Sequence, residues 1–468
     1  MAVQGTDGAR GLFIESLEIT QGDNVLSIGD VAGYSMALTE MAGPGSTIVM
    51  GRDTRPSGDV LKRYAAAGIE AAGGVVIDVG VAPTPAIQKI ALQLGAAGAI
   101  SLTPSHNPHT DAGWKGMLGA EKPSKKQIDA IESRFQDIVN RGVIDRLDPS
   151  TYDALKHEQT HLLQDYMDSV LLGIRSTFDD EWPLDGKVVV VDTARGAANK
   201  VTPRILEQLG AHVVPFACDT DGLINHNCGA THLGGVRRFL AERPELIANP
   251  AFIGAVANDG DADRFMGVGA VMGSTSPRFV TLDGNIALEL KATEFAMQEM
   301  GVVSTEYVNP ATVRRIRAMG LQFISCANGD VNVTKTLREQ GWLVGAEPSG
   351  HLVDLRLGIP SGDGVYNAVS TAVFAAINGT SFWDICRERR LDPDYLENIP
   401  LPQGVAYDRS LLESVFVRTK KDEANASVLV DRKSGTENLV RIRVSGKDAR
   451  TTYRRTNGIV RAVRRTHQ

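Results

Sequence analysis

One stretch of the sequence combines a potential nucleophile with a stiff backbone. Residues 103–115 read TPSHNPHTDAGWK, so Ser105 lies between two prolines. Pro104 and Pro108 fix φ and lack an N–H group, which excludes a regular helix or a central strand. The preceding run AAGAISL is typical of a short buried strand, and open α/β sheets carry their chemistry at the carboxyl ends of strands. Ser105 is therefore a candidate nucleophile, although a surface turn with a hydrogen-bonding serine would give the same pattern.

A second stretch could hold a divalent cation. Residues 258–265 read NDGDADRF, in which Asp259, Asp261 and Asp263 alternate with small residues and Arg264 follows. Three alternating carboxylates in a glycine-containing loop can converge on one cation, and hard oxygen ligands favour Mg²⁺ over zinc. No glutamate occupies the twelfth position that an EF-hand loop requires. Two interpretations stay open, a magnesium site and a solvated acidic turn.

Two later loops offer polar groups of other kinds. Residues 344–352 read VGAEPSGHL, and the glutamate, serine and histidine in this loop suit the hydroxyl groups of a polyol. Residues 431–443 read DRKSGTENLVRIR and can present guanidinium, hydroxyl and backbone N–H groups to one phosphate. The competing interpretations are an ordinary strand-to-helix loop for the first and a solvated turn between two strands for the second.

A fifth segment, GRDTRPSG at residues 51–58, contains alternating charges. Arg52, Asp53 and Arg55 could form one ion-pair network that holds this turn, or they could contact a phosphate. We expect the supporting role.

Composition narrows the class of protein. The chain has 468 residues, of which 43% are hydrophobic and 22% charged, so it is globular and too long for one ordinary core. A formal net charge of −7 argues against a nucleic-acid partner. The four cysteines form neither a CxxC pair nor a disulfide framework, which favours a reduced, cytoplasmic protein. No run of 18 apolar residues or signal-like opening occurs, so we expect no membrane partner.

Strand and helix patterns alternate along most of the chain and predict doubly wound α/β layers. Apolar runs predict strands at residues 46–50, 74–80, 96–102, 187–192, 213–216, 252–257 and 304–309. Helical spacing is found at residues 23–42, 61–72, 85–94, 124–141, 151–172, 199–210, 285–300 and 312–319. The first helix would be capped by Asp23 or Ser27. A Pro- and Asp-rich break at residues 391–404 precedes a hairpin, with the candidate phosphate loop at its tip, and a final helix.

The four loops together resemble those of the α-D-phosphohexomutase superfamily. TPSHNP, DGDADR, GAEPSGH and RKSGTE occur in the order in which that superfamily has TxSHNP, DGDxDR, GExSGH and RxSGTE. The resemblance implies three similar doubly wound α/β domains plus a smaller α+β C-terminal domain around a central cleft. The implied domains are residues 1–152 with the phosphoserine loop, 153–265 with the metal loop, 266–385 with the sugar loop and 386–468 with the phosphate loop.

The resemblance also implies a set of residue roles. Ser105 would be phosphorylated in the active enzyme, and Mg²⁺ would be bound by Ser105, Asp259, Asp261 and Asp263. The implied catalytic residues are Ser105, Lys115 as general base, Arg10, His106 and His351. The implied substrate-binding residues are Arg264, Glu347, Ser349, Arg432, Ser434, Gly435, Thr436 and Arg441. A hexose 1,6-bisphosphate would be both the intermediate and the activator.

Within the superfamily, the loops favour the phosphoglucosamine mutase branch. GTDGARG, DGDADR and the DGLINHNCGATH segment at residues 221–232 are similar to that branch, whereas Pro104, GAEPSGH, Lys433 and Asn438 differ from it. We therefore expect interconversion of glucosamine 6-phosphate and glucosamine 1-phosphate, with a phosphomannomutase or phosphoglucomutase as the alternative and a sugar-phosphate phosphatase as a third candidate. The expected partner is a small sugar phosphate, and a homodimer is compatible with the sequence.

Overall fold

The computed structural model of the chain describes residues 8–20, 24–294, 300–400, 428–433 and 439–466. Within these residues, four β-sheets follow one another along the chain and helices cover them. None of the helices in the described segments combines the length and the apolar character needed to cross a bilayer.

The first sheet is mixed and carries helices on both faces. Its strands are β1 (Ala9–Ile14), β2 (Val25–Ser27), β3 (Thr47–Arg52), β4 (Val75–Val81), β5 (Gly98–Leu102) and β6 (Asp111–Leu118), in the order β2-β1-β6-β5-β3-β4. The helices are α1 (Ile28–Ala42), α2 (Gly58–Ala71), α3 (Thr84–Leu94) and α4 (Lys125–Asn140). Successive strand residues point to opposite faces, so Ile48 joins an apolar cluster with α1 and α2 while Val49 joins one with α3. β6 runs antiparallel to β1 and β5.

The first helix begins at the predicted cap. Ser27 Oγ accepts a hydrogen bond from Asp30 N at 2.9 Å, and Ser27 N donates to Asp30 Oδ2 at 2.9 Å. This reciprocal capping box satisfies two backbone donors that would otherwise be unpaired. The cap is therefore Ser27, and the alternative cap Asp23 lies outside the described residues.

The expected helix at residues 151–172 is wrong in part. The chain forms a 3₁₀ turn (Pro149–Thr151), a short helix α5 (Ala154–His157) and a separate helix α6 (Leu162–Phe178). The interruption occurs because residues 158–159 pair with the edge of β4, where Gln159 N donates to Asp78 O at 2.7 Å.

The second sheet contains the acidic loop between two of its strands. Its strands are β7 (Val188–Asp192), β8 (His212–Phe216), β9 (Phe252–Asn258), β10 (Phe265–Met272) and β11 (Pro277–Leu282), in the order β11-β10-β9-β7-β8. Three helices, α7 (Thr202–Gln208), α8 (Gly234–Ala241) and α9 (Pro244–Ala248), precede β9. The boundary expected at residue 265 falls inside this sheet. The acidic loop does not end the domain, because β10 turns back antiparallel to β9 and β11 extends the sheet to Leu282.

The third sheet has four strands, β12 (Gly301–Thr305), β13 (Gln322–Cys326), β14 (Val344–Ala346) and β15 (Leu352–Asp354), in the order β13-β12-β14-β15. Its helices are α10 (Gly284–Thr293), α11 (Pro310–Ala318) and α12 (Asp330–Gln340). The strand expected at residues 304–309 ends earlier than predicted. Asn309 instead caps α11, and its Oδ1 accepts a hydrogen bond from Ala311 N at 3.0 Å.

The second and third sheets share helices. Helices α13 (Gly364–Ile377) and α14 (Phe382–Glu388) follow the third sheet in sequence but pack against β9 and β10 of the second. Gly254 and Gly267 leave room for the Phe382 ring, since a Cβ on Gly254 would lie 2.6 Å from Phe382 Cδ2. One continuous apolar cluster therefore joins residues of the first three sheets, and their loops are held in fixed relative positions.

The C-terminal unit is a small antiparallel sheet with one helix. Its strands are β16 (Asp394–Pro400), β17 (Val428–Lys433) and β18 (Leu439–Ser445), in the order β16-β18-β17, followed by α15 (Ala449–Thr466). The predicted hairpin of β17 and β18 is confirmed, and its tip at residues 434–438 lies outside the described residues. The break expected at 391–404 contains β16, because Asp394 pairs with Arg443 on β18, with Arg443 Nε 2.8 Å from Asp394 Oδ2.

The shared packing generates a stability prediction. Phe382→Ala should lower the free energy of unfolding by about 3–5 kcal/mol, because the ring is 0% exposed and two glycines cannot fill the space it leaves. Urea denaturation measures this loss. The matched control is Leu172→Ala, whose side chain is 70% exposed and which should change stability by less than about 0.5 kcal/mol. Equal effects of the two substitutions would contradict the shared core.

Candidate active site

The serine of the first loop is buried and lies in a strained backbone conformation. Ser105 follows the end of β5, is 3% exposed and has φ 56°. Left-handed backbone is uncommon for residues other than glycine and persists only where the surroundings impose it. Ser105 Oγ donates to Asp259 Oδ2 at 2.9 Å. The interpretation as a solvated surface turn is therefore wrong, because the hydroxyl points inward at the acidic loop.

Three carboxylates of the acidic loop converge. Asp259, Asp261 and Asp263 are all buried, and each offers an oxygen within 4.8 Å of the other two. Burial, together with the charges of Asp263 and Asp261, raises the pKa of Asp259 to about 7. Asp261 Oδ1 is buried without a hydrogen-bond partner among the described residues. A solvated acidic turn is thus ruled out, and the oxygen-only donor set fits a hard divalent cation.

Other segments hold the acidic loop in place. Thr84, at the start of α3, donates from its N to Asp261 O at 2.9 Å and from its Oγ1 to Asp261 Oδ2 at 2.6 Å. Gly364 N, at the start of α13, donates to Ala262 O at 3.0 Å, and Ala262 itself has φ 59°. The loop is therefore fixed by contacts from both neighbouring domains.

Lys115 supplies positive charge to the cluster. It lies on β6, and its buried Nζ is 2.6 Å from Asp261 Oδ2 and 3.4 Å from Asp263 Oδ2. Burial alone would raise the pKa of Asp263, but the Lys115 and His351 charges hold it well below its usual range. Lys115 and Ser105 are thus both buried, and both contact carboxylates of the acidic loop.

The loop between β14 and β15 joins the same group of residues. His351 Nδ1 is 2.6 Å from Glu347 Oε2, and its Nε2 is 3.1 Å from Asp263 Oδ1. Burial alone would lower the pKa of His351, but the Asp263 carboxylate raises it to about 10. Glu347 Oε1 also accepts from Gly329 N at 2.9 Å, and Ser349 is exposed at the loop tip.

Two arginines and a histidine lie near the serine. Arg264 Nε lies 3.7 Å from Asp259 Oδ2. His106 Nδ1 is 3.4 Å from Ser105 Oγ, and Arg10 lies on β1, where it is paired with Gly113 of β6. Burial, together with the charges of Arg264 and Arg10, lowers the pKa of His106 to about 3. His106 is therefore neutral, and Arg10 and Arg264 are close enough to act on it electrostatically.

The candidate phosphate loop of the C-terminal unit is described only at its base. Arg432 on β17 is opposite Arg441 on β18, so both belong to the hairpin that carries the loop. Their side chains, and Ser434, Gly435 and Thr436, lie outside the described part of the chain.

Several residues that support the site are not apparent from sequence alone. Thr84 shows no pattern in the sequence that would predict its contact with Asp261. Asn225 lies in the 221–232 segment, whose only signal is its likeness to a family motif, yet its Nδ2 donates to Ser105 O at 2.8 Å. Lys122 Nζ lies 2.6 Å from Asp330 Oδ2 at the start of α12. This ion pair connects the first domain to the third.

Most of the chain is similar in sequence to one family of known proteins. Three family models match consecutive segments: phosphoglucomutase/phosphomannomutase α/β/α domain I at residues 1–141, domain II at 164–270 and domain III at 283–390. A phosphoglucosamine mutase from Rhodococcus opacus is 33% identical over 457 residues, which is 95% of each chain.

Solved structures have the same fold. A phosphoglucomutase/phosphomannomutase family protein from Burkholderia thailandensis superposes with a TM-score of 0.76 at 21% identity, covering 99% of this chain and 97% of that one. An N-acetylphosphoglucosamine mutase from Aspergillus fumigatus, solved with GlcNAc-6P and magnesium, gives a TM-score of 0.60 at 17% identity, covering 82% and 93%. The chain therefore belongs to the phosphoglucomutase/phosphomannomutase family of the α-D-phosphohexomutase superfamily, and it is an isomerase of the intramolecular phosphotransferase class.

Proposed function

We propose that this enzyme interconverts glucosamine 6-phosphate and glucosamine 1-phosphate through a phosphorylated Ser105. The observation that carries the proposal is the contact of Ser105 Oγ with Asp259, inside a cluster of three buried carboxylates. The phosphoglucosamine mutase relative, similar over nearly the whole chain, supports the choice of an amino sugar.

The transfer needs alignment and charge neutralisation more than covalent help. In the first step the P–Oγ bond of phosphoserine breaks, a bond from phosphorus to a sugar hydroxyl oxygen forms, and the hydroxyl proton ends on Ser105 Oγ. The product is a hexosamine 1,6-bisphosphate. In the second step the other phosphoryl group returns to Ser105, so the sugar leaves as the isomeric monophosphate. The same bisphosphate would activate an enzyme whose serine is not phosphorylated.

Residues around the serine have separate parts in this scheme. Asp259, Asp261, Asp263 and the phosphorylated Ser105 would hold Mg²⁺, which when bound supplies positive charge to the oxygens of the transferring group. Lys115 is our candidate for the proton transfer, since it lies beside the acidic cluster. Arg264 and Arg10 carry charge that suits the phosphoryl oxygens. Neutral His106 can donate a hydrogen bond to Ser105 Oγ, whose own hydrogen is donated to Asp259.

The sugar and the second phosphate would be bound by the remaining loops. Glu347 is ionised, because the hydrogen bond from His351 lowers its pKa although burial would raise it, and a carboxylate can accept from sugar hydroxyl or ammonium groups. Ser349 lies exposed in a turn of the same loop. The spectator phosphate is assigned to the loop of the C-terminal unit. The assigned residues are Arg432, Ser434, Gly435, Thr436 and Arg441.

The intermediate must turn around between the two transfers. We propose that the C-terminal unit moves as a hinged body, because its sheet is connected to the rest of the chain through the short segment between α14 and β16. A cytoplasmic location also belongs to this proposal and is supported by four cysteines that form no disulfide.

Substrate choice is tested with a panel of sugar phosphates. The purified protein, preactivated with glucose 1,6-bisphosphate, should convert glucosamine 6-phosphate with a kcat/KM at least about tenfold above that for glucose or mannose phosphates, because a carboxylate in the sugar loop favours an ammonium group. Coupled assays measure the isomerised sugar and free phosphate separately. Equal turnover of glucose and mannose phosphates with none of glucosamine 6-phosphate would favour the alternative mutases. Free phosphate as the main product would favour a phosphatase.

The role of the serine is tested by substitution. Ser105→Ala should reduce isomerisation on the order of 10³-fold or more, because the group that carries phosphate between the two sugar positions is lost. Steady-state kinetics and intact-mass detection of the phosphoprotein measure the effect. Ser133→Ala, on the exposed face of α4, is the matched control and should behave like the parent. A Ser105→Ala enzyme that kept a tenth of the parent activity would disprove the phosphoserine.

The metal site is tested by direct binding. Asp261→Asn should weaken Mg²⁺ binding at least about tenfold, because it removes one of three converging charges, and titration calorimetry measures this without any substrate. Asp129→Asn removes a charge from the exposed surface of α4 and is the control. If the two variants bound Mg²⁺ equally, the three carboxylates would not be its ligands.

A further inference from the structure

One buried guanidinium holds the backbone of the serine loop. Arg55 is 2% exposed, and its Nη2 donates to Asn107 O at 2.8 Å and to Ser105 O at 3.2 Å. Its Nη1 donates to Asp111 O at 3.1 Å and also to Pro108 O. A single planar group therefore satisfies four carbonyl oxygens between Ser105 and Asp111, which a point-like ammonium could not do.

The position of this guanidinium is itself fixed. Arg55 Nε donates to Asp53 Oδ2 at 3.0 Å, and Arg55 N donates to Asp53 Oδ1 at 3.0 Å. The same Asp53 Oδ2 accepts from Thr103 Oγ1 at 2.6 Å, and Thr103 Oγ1 accepts from Ser105 N at 2.9 Å. Hydrogen bonds thus reach Ser105 from Asp53 through both its N–H and its carbonyl group.

Asn225, from the part of the chain that forms the second sheet, also binds the backbone of the serine loop. Asn225 is 5% exposed, and its Nδ2 donates to Ser105 O at 2.8 Å and to Asn107 O at 3.0 Å. Only the NH₂ end of the amide can face two carbonyl oxygens, which fixes its orientation. Gly260 of the acidic loop lies on the remaining side, where a Cβ would be 2.5 Å from Ser105 O and 2.9 Å from Asn225 Nδ2.

We propose that Arg55 and Asn225 are positioning residues for phosphoryl transfer, a role that rests on the proposed function. They hold the carbonyl group of Ser105 and those of the residues that follow it, and so maintain the left-handed backbone that directs Oγ at Asp259. Asn225 also holds the serine loop of one domain next to the acidic loop of the next domain. The oxygen to which Asn225 donates, Ser105 O, is in close contact with Gly260 of the acidic loop. Their hydrogen bonds to the loop involve its backbone, so binding of the sugar should not depend on them.

This role differs in its kinetic signature from substrate contact. Loss of a substrate contact raises KM, whereas a displaced nucleophile lowers kcat and leaves KM nearly unchanged. Misplacing a reacting group by about 1 Å can cost about 10²-fold in rate. The step affected can be observed alone. When glucose 1,6-bisphosphate phosphorylates Ser105, the P–O bond to the sugar breaks, the P–Oγ bond forms, and the Oγ proton goes to the departing sugar oxygen.

The test compares two neighbouring asparagines in the full-length protein. Asn225→Asp has the shape of the parent side chain and tolerates the φ of 62° at this position, but it sets an oxygen against two carbonyl oxygens. Asn227→Asp is the matched control, because Asn227 also has a left-handed φ of 54° and is exposed. Asn225→Asp should lower the rate of Ser105 labelling and kcat about 10²-fold, with KM within about threefold of the control.

A second pair of variants tests the same role independently, in case Asn225→Asp does not fold. Arg55→Lys keeps the charge but cannot reach four carbonyl groups, so it should show the same loss of kcat. Arg141→Lys is the control and should keep the parent kcat, because the parent side chain is exposed at the end of α4 and pairs with Glu40. The Mg²⁺ affinity of the unphosphorylated proteins, measured by calorimetry, should remain within about threefold in all four variants, since the three carboxylates are untouched and Ser105 is proposed as a ligand in its phosphorylated form.

The outcomes separate this inference from the proposed function. Labelling and kcat of Asn225→Asp and Arg55→Lys within threefold of their controls would overturn the positioning role, as would a rise in KM at constant kcat. A parent protein labelled at Ser105 that produced no isomerised sugar would contradict the mutase reaction, while the labelling rates would still decide the positioning role. A parent that bisphosphate could not label would contradict both.

Discussion

Three buried carboxylates that must be offset by positive charge are the constraint on which the rest of the site depends. Like charges within a few ångströms in a water-poor loop repel strongly and cannot all remain ionised without cations nearby. Lys115 and His351 supply part of that charge, from the first and third domains respectively. The acidic loop is therefore stable only when neighbouring domains bring their cations to it, and the same approach brings Ser105 into contact with Asp259.

That approach requires the domains to hold together, and the apolar packing explains how they do. Helices α13 and α14 follow the third sheet but cover the second, and α6 packs against α3 of the first. Glycines at the points of closest contact, such as Gly254 beneath Phe382, let these helices approach the strands. The polar site thus lies on a shared apolar core, whereas the C-terminal unit has a small sheet of its own.

Agreement between sequence and structure was best where a local rule decides the outcome. Ser27 begins α1 because a serine followed three residues later by an acid forms a capping box, and β17 with β18 forms a hairpin because apolar residues alternate on either side of a turn. Predictions failed where distant contacts override local preference. The pairing of residues 158–159 with β4 interrupts a helical pattern, and the return of β10 along β9 moves a domain boundary past an acidic loop that looked terminal.

The candidate chemical groups, their order and the alternation of strands and helices could be predicted from the sequence, because these depend on residue type and short-range spacing. It also contained the family motifs, from which the roles of Ser105 and the three aspartates were inferred. The fold was needed to show that the serine is buried with φ 56°, that His351 lies between Glu347 and Asp263, and that Arg55 and Asn225 hold the serine loop. Burial, pKa values and backbone strain arise from groups far apart in the chain, and no local pattern carries that information.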